Sequence, residues 1–362
     1  MTTHYGLIGS GMMGHEHIRN IQLLPDTALA GFIEPDDAMA AETQALAPGA
    51  SRVASIDALL GMPQIDCLVI ASPNHCHVDQ LHAIANLRAL PILVEKPLLT
   101  AADDVERMRA FARDYSAPVW VAMEYRYMPP IALLCERAGA ATGGVRMLSI
   151  REHRFPFLEK VGDWNRFNRF TGGTFVEKCC HFFDLMRLVL QADAVRVMAS
   201  AGQAVNHLDE AYAGETPDIA DHGYVLVDFD NGARAMLELC MFAEGSRYQE
   251  EISAVGPAGK IESHVPGPGR FWPAHLGPAP TPRVIESPRD PRGPRIIDTP
   301  VDPALLQAGD HNGSTFYQHR EFLALVRGER QRPVVSITDG IESVRLGLAA
   351  QQSAATGQSV PL

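Results

Sequence analysis

The chain has 362 residues, a length over which one hydrophobic core seldom extends, so two domains are expected. Hydrophobic residues make up 46% of it, which is typical of a globular protein and excludes disorder for most of the chain. The formal net charge of −12, with no run of lysine or arginine, argues against nucleic acid or an anionic membrane surface as a partner. Small-molecule ligands are expected instead.

The predicted location is the cytoplasm. No apolar stretch approaches the roughly 20 residues that cross a bilayer, and the first apolar strand begins too early to leave room for a signal peptide. The six cysteines show no framework spacing, as expected of free thiols in a reducing compartment.

A strand that runs into a glycine motif opens the chain. Residues 5–8 are mostly apolar, and Gly9, Gly11 and Gly14 follow at the spacing G-x-G-x-x-G. The first glycine permits the tight turn, the second lets a pyrophosphate approach the backbone, and the third lets the next helix pack on the sheet. That helix, starting near Met12, directs unpaired N–H groups at the phosphates. The motif predicts a dinucleotide-binding domain; the alternative is a plain glycine-rich turn.

An acidic residue follows the last glycine by twenty positions. Glu34 ends a second apolar run, 29–33, where its carboxylate can accept hydrogen bonds from the adenosine ribose and repel a 2′-phosphate. The next residues, Pro35, Asp36 and Asp37, supply no cation to neutralise such a phosphate. The cofactor is therefore predicted to be NAD rather than NADP.

The first third of the chain alternates apolar runs with helical segments. Runs at 65–71, 91–94 and 118–122 are nearly continuous, as in strands that are buried on both faces of a parallel sheet. The predicted fold class is α/β, with a doubly wound Rossmann sheet in an NAD-binding domain at 1–123. Residues 124–362 are expected to form an α+β domain for substrate binding and oligomerisation.

The second domain shows a different pattern. Alternating strands follow one another from residue 145, and the clearest hairpin joins 224–229 to 233–239 across Asn231-Gly232, a pair typical of a type I′ turn. Another hairpin is expected to flank 256–259. These strands predict a large, mostly antiparallel sheet with helices such as 181–190 on one face. Its other face needs a partner, so a homo-oligomer, dimer or tetramer, is expected.

Two more segments of this domain stand out. Residues 266–303 are dense in proline, glycine and arginine without periodicity, which predicts either a functional lid or a passive surface loop. Residues 340–357 are predicted to form a helix that packs back on the first domain.

Two clusters carry residues suited to chemistry. Lys96 follows the run 91–94, and open parallel sheets bind ligands at the carboxyl ends of their strands. An ammonium there can stabilise an alkoxide that develops on the substrate oxygen. Glu177 and His181 lie four positions apart after a glycine pair, so one helix is predicted to present both on one face. A buried structural histidine and a surface lysine are the alternatives.

Taken together, the motifs resemble the Gfo/Idh/MocA oxidoreductases over essentially the whole chain. The resemblance implies that Lys96 is catalytic, that His181 accepts the hydroxyl proton, and that Glu177 stands where an aspartate is usual in the inositol dehydrogenase branch. The motifs that carry it are the glycine motif, Ser72-Pro73-Asn74 with His77, Glu95-Lys96-Pro97, and the pair Gly172-Gly173 followed by Glu177, His181 and Asp184.

The expected site residues fall into three groups. The catalytic set is Lys96, Glu177 and His181. The cofactor-binding set is Gly9, Ser10, Gly11, Met12, Met13, Gly14, Glu34, Ser72, Pro73, Asn74, His77, Glu95 and Lys96. The substrate-binding set is Tyr125, Arg126, Trp164, Asn165, Arg166 and Arg169, with His311, Tyr317 and His319 as further cleft residues; surface or packing roles are the alternative.

The function predicted is NAD-dependent oxidation of a secondary hydroxyl of a cyclic polyol or sugar. One alternative is a glycoside hydrolase that uses NAD transiently, by oxidation, elimination, hydration and reduction. Another is a non-catalytic NAD-binding regulator. No metal is expected. The adjacent Cys179 and Cys180 would point apart on a helix and lack a second ligand cluster at finger spacing. His75-Cys76-His77 falls on the loop that is expected to run under the nicotinamide.

Overall fold

The computed structural model describes residues 2–362, and its first half contains a six-stranded parallel sheet. The strand order is β3-β2-β1-β4-β5-β6, the order of a doubly wound nucleotide-binding sheet. The predicted parallel sheet is therefore confirmed. The strands are β1 (Thr3–Ile8), β2 (Thr27–Ile33), β3 (Ser51–Arg52), β4 (Cys67–Ile70), β5 (Ile92–Val94) and β6 (Val119–Val121).

Helices cover both faces of this sheet, which is why its strands read as continuous apolar runs. Side chains on both faces of the central strands are buried, for example Leu68 and Val69 in β4 and Leu93 in β5. The helices that follow the strands are α1 (Met12–Gln22), α2 (Asp37–Leu46), α3 (Ile56–Leu60), α4 (His77–Ala85) and α5 (Asp104–Asp114).

A nine-stranded sheet dominates the rest of the chain, in the order β14-β13-β12-β11-β7-β10-β9-β8-β15. Every neighbouring pair is antiparallel except β7 and β10, so the predicted mostly antiparallel sheet is confirmed. The strands are β7 (Met147–His153), β8 (Ala194–Gly202), β9 (His222–Phe229), β10 (Arg234–Cys240), β11 (Glu250–Gly256), β12 (Gly259–Val265), β13 (Arg283–Pro288), β14 (Arg295–Asp298) and β15 (Val360–Pro361).

The hairpin between β9 and β10 forms as predicted, but its turn is not type I′. A type I′ turn needs positive φ at both central residues, and of Asn231 and Gly232 only Gly232 has it, at +81°. The turn starts at Phe229, whose carbonyl accepts a hydrogen bond from the Gly232 N–H at 3.0 Å. The central residues of the turn are therefore Asp230 and Asn231, one position earlier than predicted, and Gly232 follows them.

Part of the proline-rich segment also differs from expectation. Residues 283–298 form β13 and β14, which extend the sheet from β12. Val284 packs into the core, and its neighbours Arg283 and Ile285 are partly buried. Backbone pairing to an existing edge thus organises a stretch whose composition shows no clear period. Residues 266–282 contain only two short 3₁₀ helices, Gly269–Phe271 and Ala274–Leu276.

Helices cover one face of the large sheet. Among them, α6 packs on β12 and α12 packs on β8. The helix α12 also reaches the first core with Ile341 and Val344 and the second core with Leu346 and Ala350. The helices are α6 (Pro129–Thr142), α7 (Asn168–Thr171), α8 (Thr174–Glu177), α9 (Cys180–Leu190), α10 (Pro303–Ala308), α11 (Ser314–Val326) and α12 (Ile337–Thr356).

We propose a domain boundary after Met123, because β6 completes the parallel sheet there and the 3₁₀ helix Glu124–Tyr127 leads away from it. The two apolar cores on either side have separate strands, and α12 belongs to both. Within residues 2–362, no helix is long and apolar enough to span a bilayer.

Candidate active site

The turn between β1 and α1 has the shape that a dinucleotide requires. Gly9 has a φ of +83°, and a Cβ there would lie 2.6 Å from the backbone of Ser72. A Cβ on Gly14 would lie 2.6 Å from the Gly9 carbonyl oxygen. Nothing lies within 4 Å of a Cβ built on Gly11, which leaves space for a pyrophosphate beside the N-terminus of α1. The glycine motif, including Ser10, Met12 and Met13, thus fits the cofactor.

The acid at the end of β2 is fixed by backbone amides. The Glu34 carboxylate accepts hydrogen bonds from the N–H groups of Ser10, at 2.7 Å, and Asp36, at 3.0 Å. Sequence reasoning missed Arg52, which β3 brings beside this loop. Its guanidinium donates hydrogen bonds to the Glu34 carbonyl and pairs with the Asp37 carboxylate at 2.8 Å. The positive charge of Arg52 is thus already paired within the protein.

The loops after β4 and β5 complete the predicted cofactor set. His77 lies behind them, with ring nitrogens 2.8 Å from the Pro97 carbonyl and 3.0 Å from the Ser72 carbonyl, and therefore holds the two loops together. Asn74 is buried, and its Nδ2 has no hydrogen-bond partner among the described residues. An unpaired buried amide in this loop, next to Pro73, suits a polar ligand such as a nicotinamide nucleotide.

Glu95 is turned away from solvent. Its carboxylate lies 3.0 Å from His17 Nε2, and His17 Nδ1 lies 2.8 Å from His319 Nε2. Burial raises the pKa of Glu95, but the His17 hydrogen bond and nearby positive charge outweigh it, so this pKa is lowered overall. The Glu95 carboxylate also accepts a hydrogen bond from the backbone N–H of Lys96 at 3.1 Å. The row of buried contacts from His319 through His17 to Glu95 therefore ends at the backbone of the predicted catalytic lysine.

Lys96 contacts the segment that carries Glu177, and its charge acts on His181 four positions further on. Lys96 Nζ donates to the backbone carbonyl of Glu177 at 3.2 Å. The single helix predicted through Glu177 and His181 is wrong, because α8 ends at Glu177 and α9 starts at Cys180. Between them, the ammonium of Lys178 is held 2.5 Å from the Tyr125 hydroxyl, a tertiary contact that the four-residue spacing did not reveal.

His181 is buried and neutral. Its ring stacks on Tyr125 with centroids 4.1 Å apart, and its Nδ1 has no partner among the described residues. Burial lowers the pKa of His181 well below the usual value, and the charges of Lys96 and Lys178 lower it further. A neutral imidazole beside an ammonium can accept a proton from a hydroxyl whose oxygen the ammonium binds.

Glu177 is also buried without a full set of partners. Burial raises the pKa of its carboxyl, although Lys96, Lys160 and Arg154 pull in the other direction. Its Oε2 makes no hydrogen bond to any described residue. Sequence reasoning missed Lys160, Arg154 and Lys178, whose positions in a strand end or a loop carry no catalytic motif.

The predicted substrate ligands divide into two groups. Tyr125 lies in the site, and Trp164 lies near the loop after β4, with its ring 6.2 Å from that of His75. The three arginines do not meet there, because each is paired elsewhere. Arg126 binds both oxygens of Asp184 at 2.5 Å, Arg166 pairs with Glu210 at 3.0 Å, and Arg169 pairs with Glu215 at 2.5 Å.

The remaining predicted residues have other surroundings. Asn165 is buried and donates to the Leu158 carbonyl at 3.0 Å. His319 lies behind Glu95 as described, and Tyr317 contacts Arg320, whose guanidinium lies 5.1 Å from its ring centroid. Only His311 lies near Tyr125, with ring centroids 6.3 Å apart.

His311 belongs to an ionic cluster between the domains. Its Nδ1 lies 2.8 Å from Glu16, its Nε2 lies 3.6 Å from Glu124, and the Thr315 hydroxyl contacts both carboxylates. Burial opposes a charge on His311, but Glu124 and Glu16 raise its pKa to about 9. One ligand atom from each of Glu16, Glu124 and His311 lies within 4.8 Å of the others, a spacing that suits a metal ion. In the described chain, ion pairs from the imidazole to both carboxylates hold the cluster together.

Fold and site together define an NAD-binding oxidoreductase with a second, C-terminal alpha/beta domain. Residues 3–123 match the family model described as an oxidoreductase family, NAD-binding Rossmann fold, and residues 142–362 match its C-terminal alpha/beta domain. The chain belongs to the Gfo/Idh/MocA oxidoreductase family. The predicted family and the predicted NAD cofactor are both confirmed by these matches.

Individual relatives are distant. The chain is 27% identical over 263 residues to an inositol 2-dehydrogenase of Rhizobium meliloti, covering 72% of this chain and 75% of that one. It is 22% identical over 360 residues to a myo-inositol 2-dehydrogenase of Thermotoga maritima, covering 99% and 98%. A levoglucosan dehydrogenase structure with NADH and levoglucosan superposes with a TM-score of 0.79 at 21% identity, covering 100% and 99%. The last comparison shows a shared fold.

Proposed function

We propose that the protein is an NAD-dependent dehydrogenase that oxidises a secondary hydroxyl of a cyclic polyol or sugar. The observation that carries the proposal is the contact of Lys96 with the segment that carries two buried polar side chains, Glu177 and His181. There, the Glu177 Oε2 and the His181 Nδ1 lack partners in the described chain. The inositol 2-dehydrogenases among the relatives support the substrate class.

Each side chain has a separate task. Lys96 Nζ donates a hydrogen bond to the reacting oxygen and stabilises its developing negative charge. His181 accepts the hydroxyl proton on its imidazole as the carbon–oxygen double bond forms. NAD, when held by the glycine motif, would supply the hydride acceptor for the carbon. Glu177 accepts a hydrogen bond from a neighbouring hydroxyl, which orients the ring.

The test is a spectrophotometric screen of polyols, sugars, sugar acids and glycosides with NAD and with NADP. NADH formation is expected with NAD. In Lys96→Ala and His181→Ala, turnover is expected to fall about 100-fold or more, while the affinity for NADH, read by fluorescence, stays within about several-fold.

The control is the half-exposed Lys260, whose replacement by alanine is expected to leave turnover unchanged. Wild-type rates in either site variant would remove that residue from the mechanism. Aglycone release without net NADH would instead establish the transient-oxidation hydrolase, and NAD binding without turnover of any compound would indicate a regulator.

We also propose that the protein is a homo-oligomer through the outer face of the large sheet. Several large apolar side chains on that face are exposed. They are Met147 (60%), Tyr224 (55%), Leu226 (50%) and Met198 (47%).

A further inference from the structure

Lysine is rare in this chain and concentrated around the candidate site. Only four of its 31 basic residues are lysines. Lys260 is half-exposed on β12, where it pairs with Glu262 at 2.8 Å. The charges of the other three, Lys96, Lys160 and Lys178, act on Glu177 or His181. Lys178 is buried, and Lys96 and Lys160 are partly buried. Partial loss of hydration makes an opposite charge favourable beside each ammonium.

Not all of this positive charge is matched. Lys178 pairs with Glu152 at 2.8 Å. Lys96 has only the Glu177 carbonyl, which its proposed task at the reacting oxygen would replace. Lys160 has no carboxylate within 4.0 Å in residues 2–362. Arg154 Nε makes no hydrogen bond, since its nearest carboxylate, Glu152, is 4.0 Å away.

Buried side chains hold Lys160 in place. It ends an irregular segment, 154–160, whose Leu158 carbonyl accepts hydrogen bonds from Asn165 at 3.0 Å and from Arg166 at 3.4 Å. Arg166 is itself fixed by Glu210. These buried donors, expected from the sequence to bind substrate, instead anchor the loop that carries the ammonium.

The unpaired groups define what a ligand must supply. Glu177 Oε2 and His181 Nδ1 are acceptors or donors without partners, which hydroxyl groups satisfy. The Lys160 ammonium has no carboxylate partner in the described chain and therefore favours an anion; with Lys96 assigned to the reacting oxygen, one negative charge suffices. We infer that the substrate is a sugar or polyol acid whose carboxylate is bound by Lys160, with the Arg154 guanidinium beside it. This inference rests on the proposed dehydrogenase function and narrows its substrate class.

The test compares acids with neutral counterparts of the same skeleton. The pairs are gluconate with glucitol, galactonate with galactitol, and methyl β-D-glucuronide with methyl β-D-glucoside. With NAD, the acid of at least one pair is expected to have a kcat/KM about 10-fold or more above its neutral partner. In Lys160→Met, kcat/KM for that acid is expected to fall about 10- to 100-fold, while kcat/KM for neutral compounds stays within about 3-fold.

Two further variants separate charge from folding. Lys160→Arg keeps the charge and is expected to retain most of the preference for the acid, whereas Lys260→Met is the matched lysine control and is expected to change nothing. A neutral member that equals or exceeds its acid in every oxidised pair would overturn the inference and leave the proposed function standing. So would an equal loss on both members in Lys160→Met.

A binding measurement keeps the two proposals distinguishable. Calorimetric titration of each acid into NADH-loaded protein involves no oxidation, because the reduced cofactor cannot accept hydride. At least one acid is expected to bind more tightly than its neutral partner, and Lys160→Met is expected to weaken that binding about 10-fold or more. Binding without turnover would count against the dehydrogenase, whereas failure of all the acids to bind would overturn the carboxylate site.

Discussion

The surroundings of His181 lower the pKa of its imidazole well below the ordinary value. An ordinary histidine is partly protonated near neutral pH. Here burial and the ammonium groups of Lys96 and Lys178 disfavour the imidazolium. The imidazole is therefore available as a proton acceptor at pH values where a solvent-exposed histidine would already carry a charge.

This effect predicts the pH dependence of the reaction. Because the pKa of His181 is lowered, its neutral form persists as the pH falls, and the acid limb of kcat/KM is expected to lie below pH 6.5. The measurement is kcat/KM with saturating NAD from pH 5 to 9, with circular dichroism at each pH to confirm folding. Glu177→Gln is the control that removes a buried acid of the candidate site whose pKa is raised, and it is expected to keep the limb. A limb above pH 7 would contradict the assignment.

At the scale of elements, an ionic cluster joins three parts of the chain. Glu16 comes from α1, Glu124 follows β6, and His311 precedes α11, where Thr315 contacts both carboxylates. Lys178 also faces His311 and opposes its charge. Since α1 carries one of these groups, the cluster links the nucleotide-binding domain to the segments after β6 and before α11.

The raised pKa of His311 gives this cluster a defined pH window. Its stabilisation is complete below about pH 6.5 and is lost as the pH rises through about 9. The shift from the model-peptide value corresponds to about 3 kcal/mol at most. Urea unfolding from pH 7 to 10 is expected to show a steeper loss of stability in the wild type than in His311→Gln.

The control is the exposed His275, whose replacement by glutamine is expected to leave the slope between pH 7 and 10 as in the wild type. Identical slopes for wild type and His311→Gln would show that His311 is not charged in the folded protein.

At the scale of the molecule, the open face of the nine-stranded sheet needs explanation. Helices cover one face, and exposed side chains such as Tyr224 and Leu226 lie on the other. Burial of apolar surface is the main favourable term in association, so this face is the one expected to meet a second copy. The candidate site, at the junction of the domains, lies on the helical side of the sheet.

This arrangement predicts a change of oligomeric state on a single substitution. Leu226→Glu places a charge in the contact, which would be desolvated without a partner. Size-exclusion chromatography with light scattering is expected to show a dimer or tetramer for the wild type and smaller species for the variant. Leu306→Glu, at an equally exposed leucine on α10, is the matched control and is expected to change nothing. A monomeric wild type would refute the proposed interface.

Local pattern in the sequence determined much of this protein. Continuous apolar runs predicted the parallel strands, the three glycines with Glu34 predicted the nucleotide site, and Lys96 could be placed from its position after β5. These features follow from side-chain periodicity and from the close backbone approaches that only glycine permits. Neither depends on how distant elements pack.

Tertiary structure alone decided which charges face one another. It paired Arg126 with Asp184, interrupted the helix before His181, and brought Lys160 beside Glu177. Each of these contacts joins residues from different elements. The sequence pattern shows which face of an element is apolar, but it does not show which other element packs on that face. The reaction can therefore be proposed from motifs, whereas the charge that selects the substrate emerges only once the two domains are packed together.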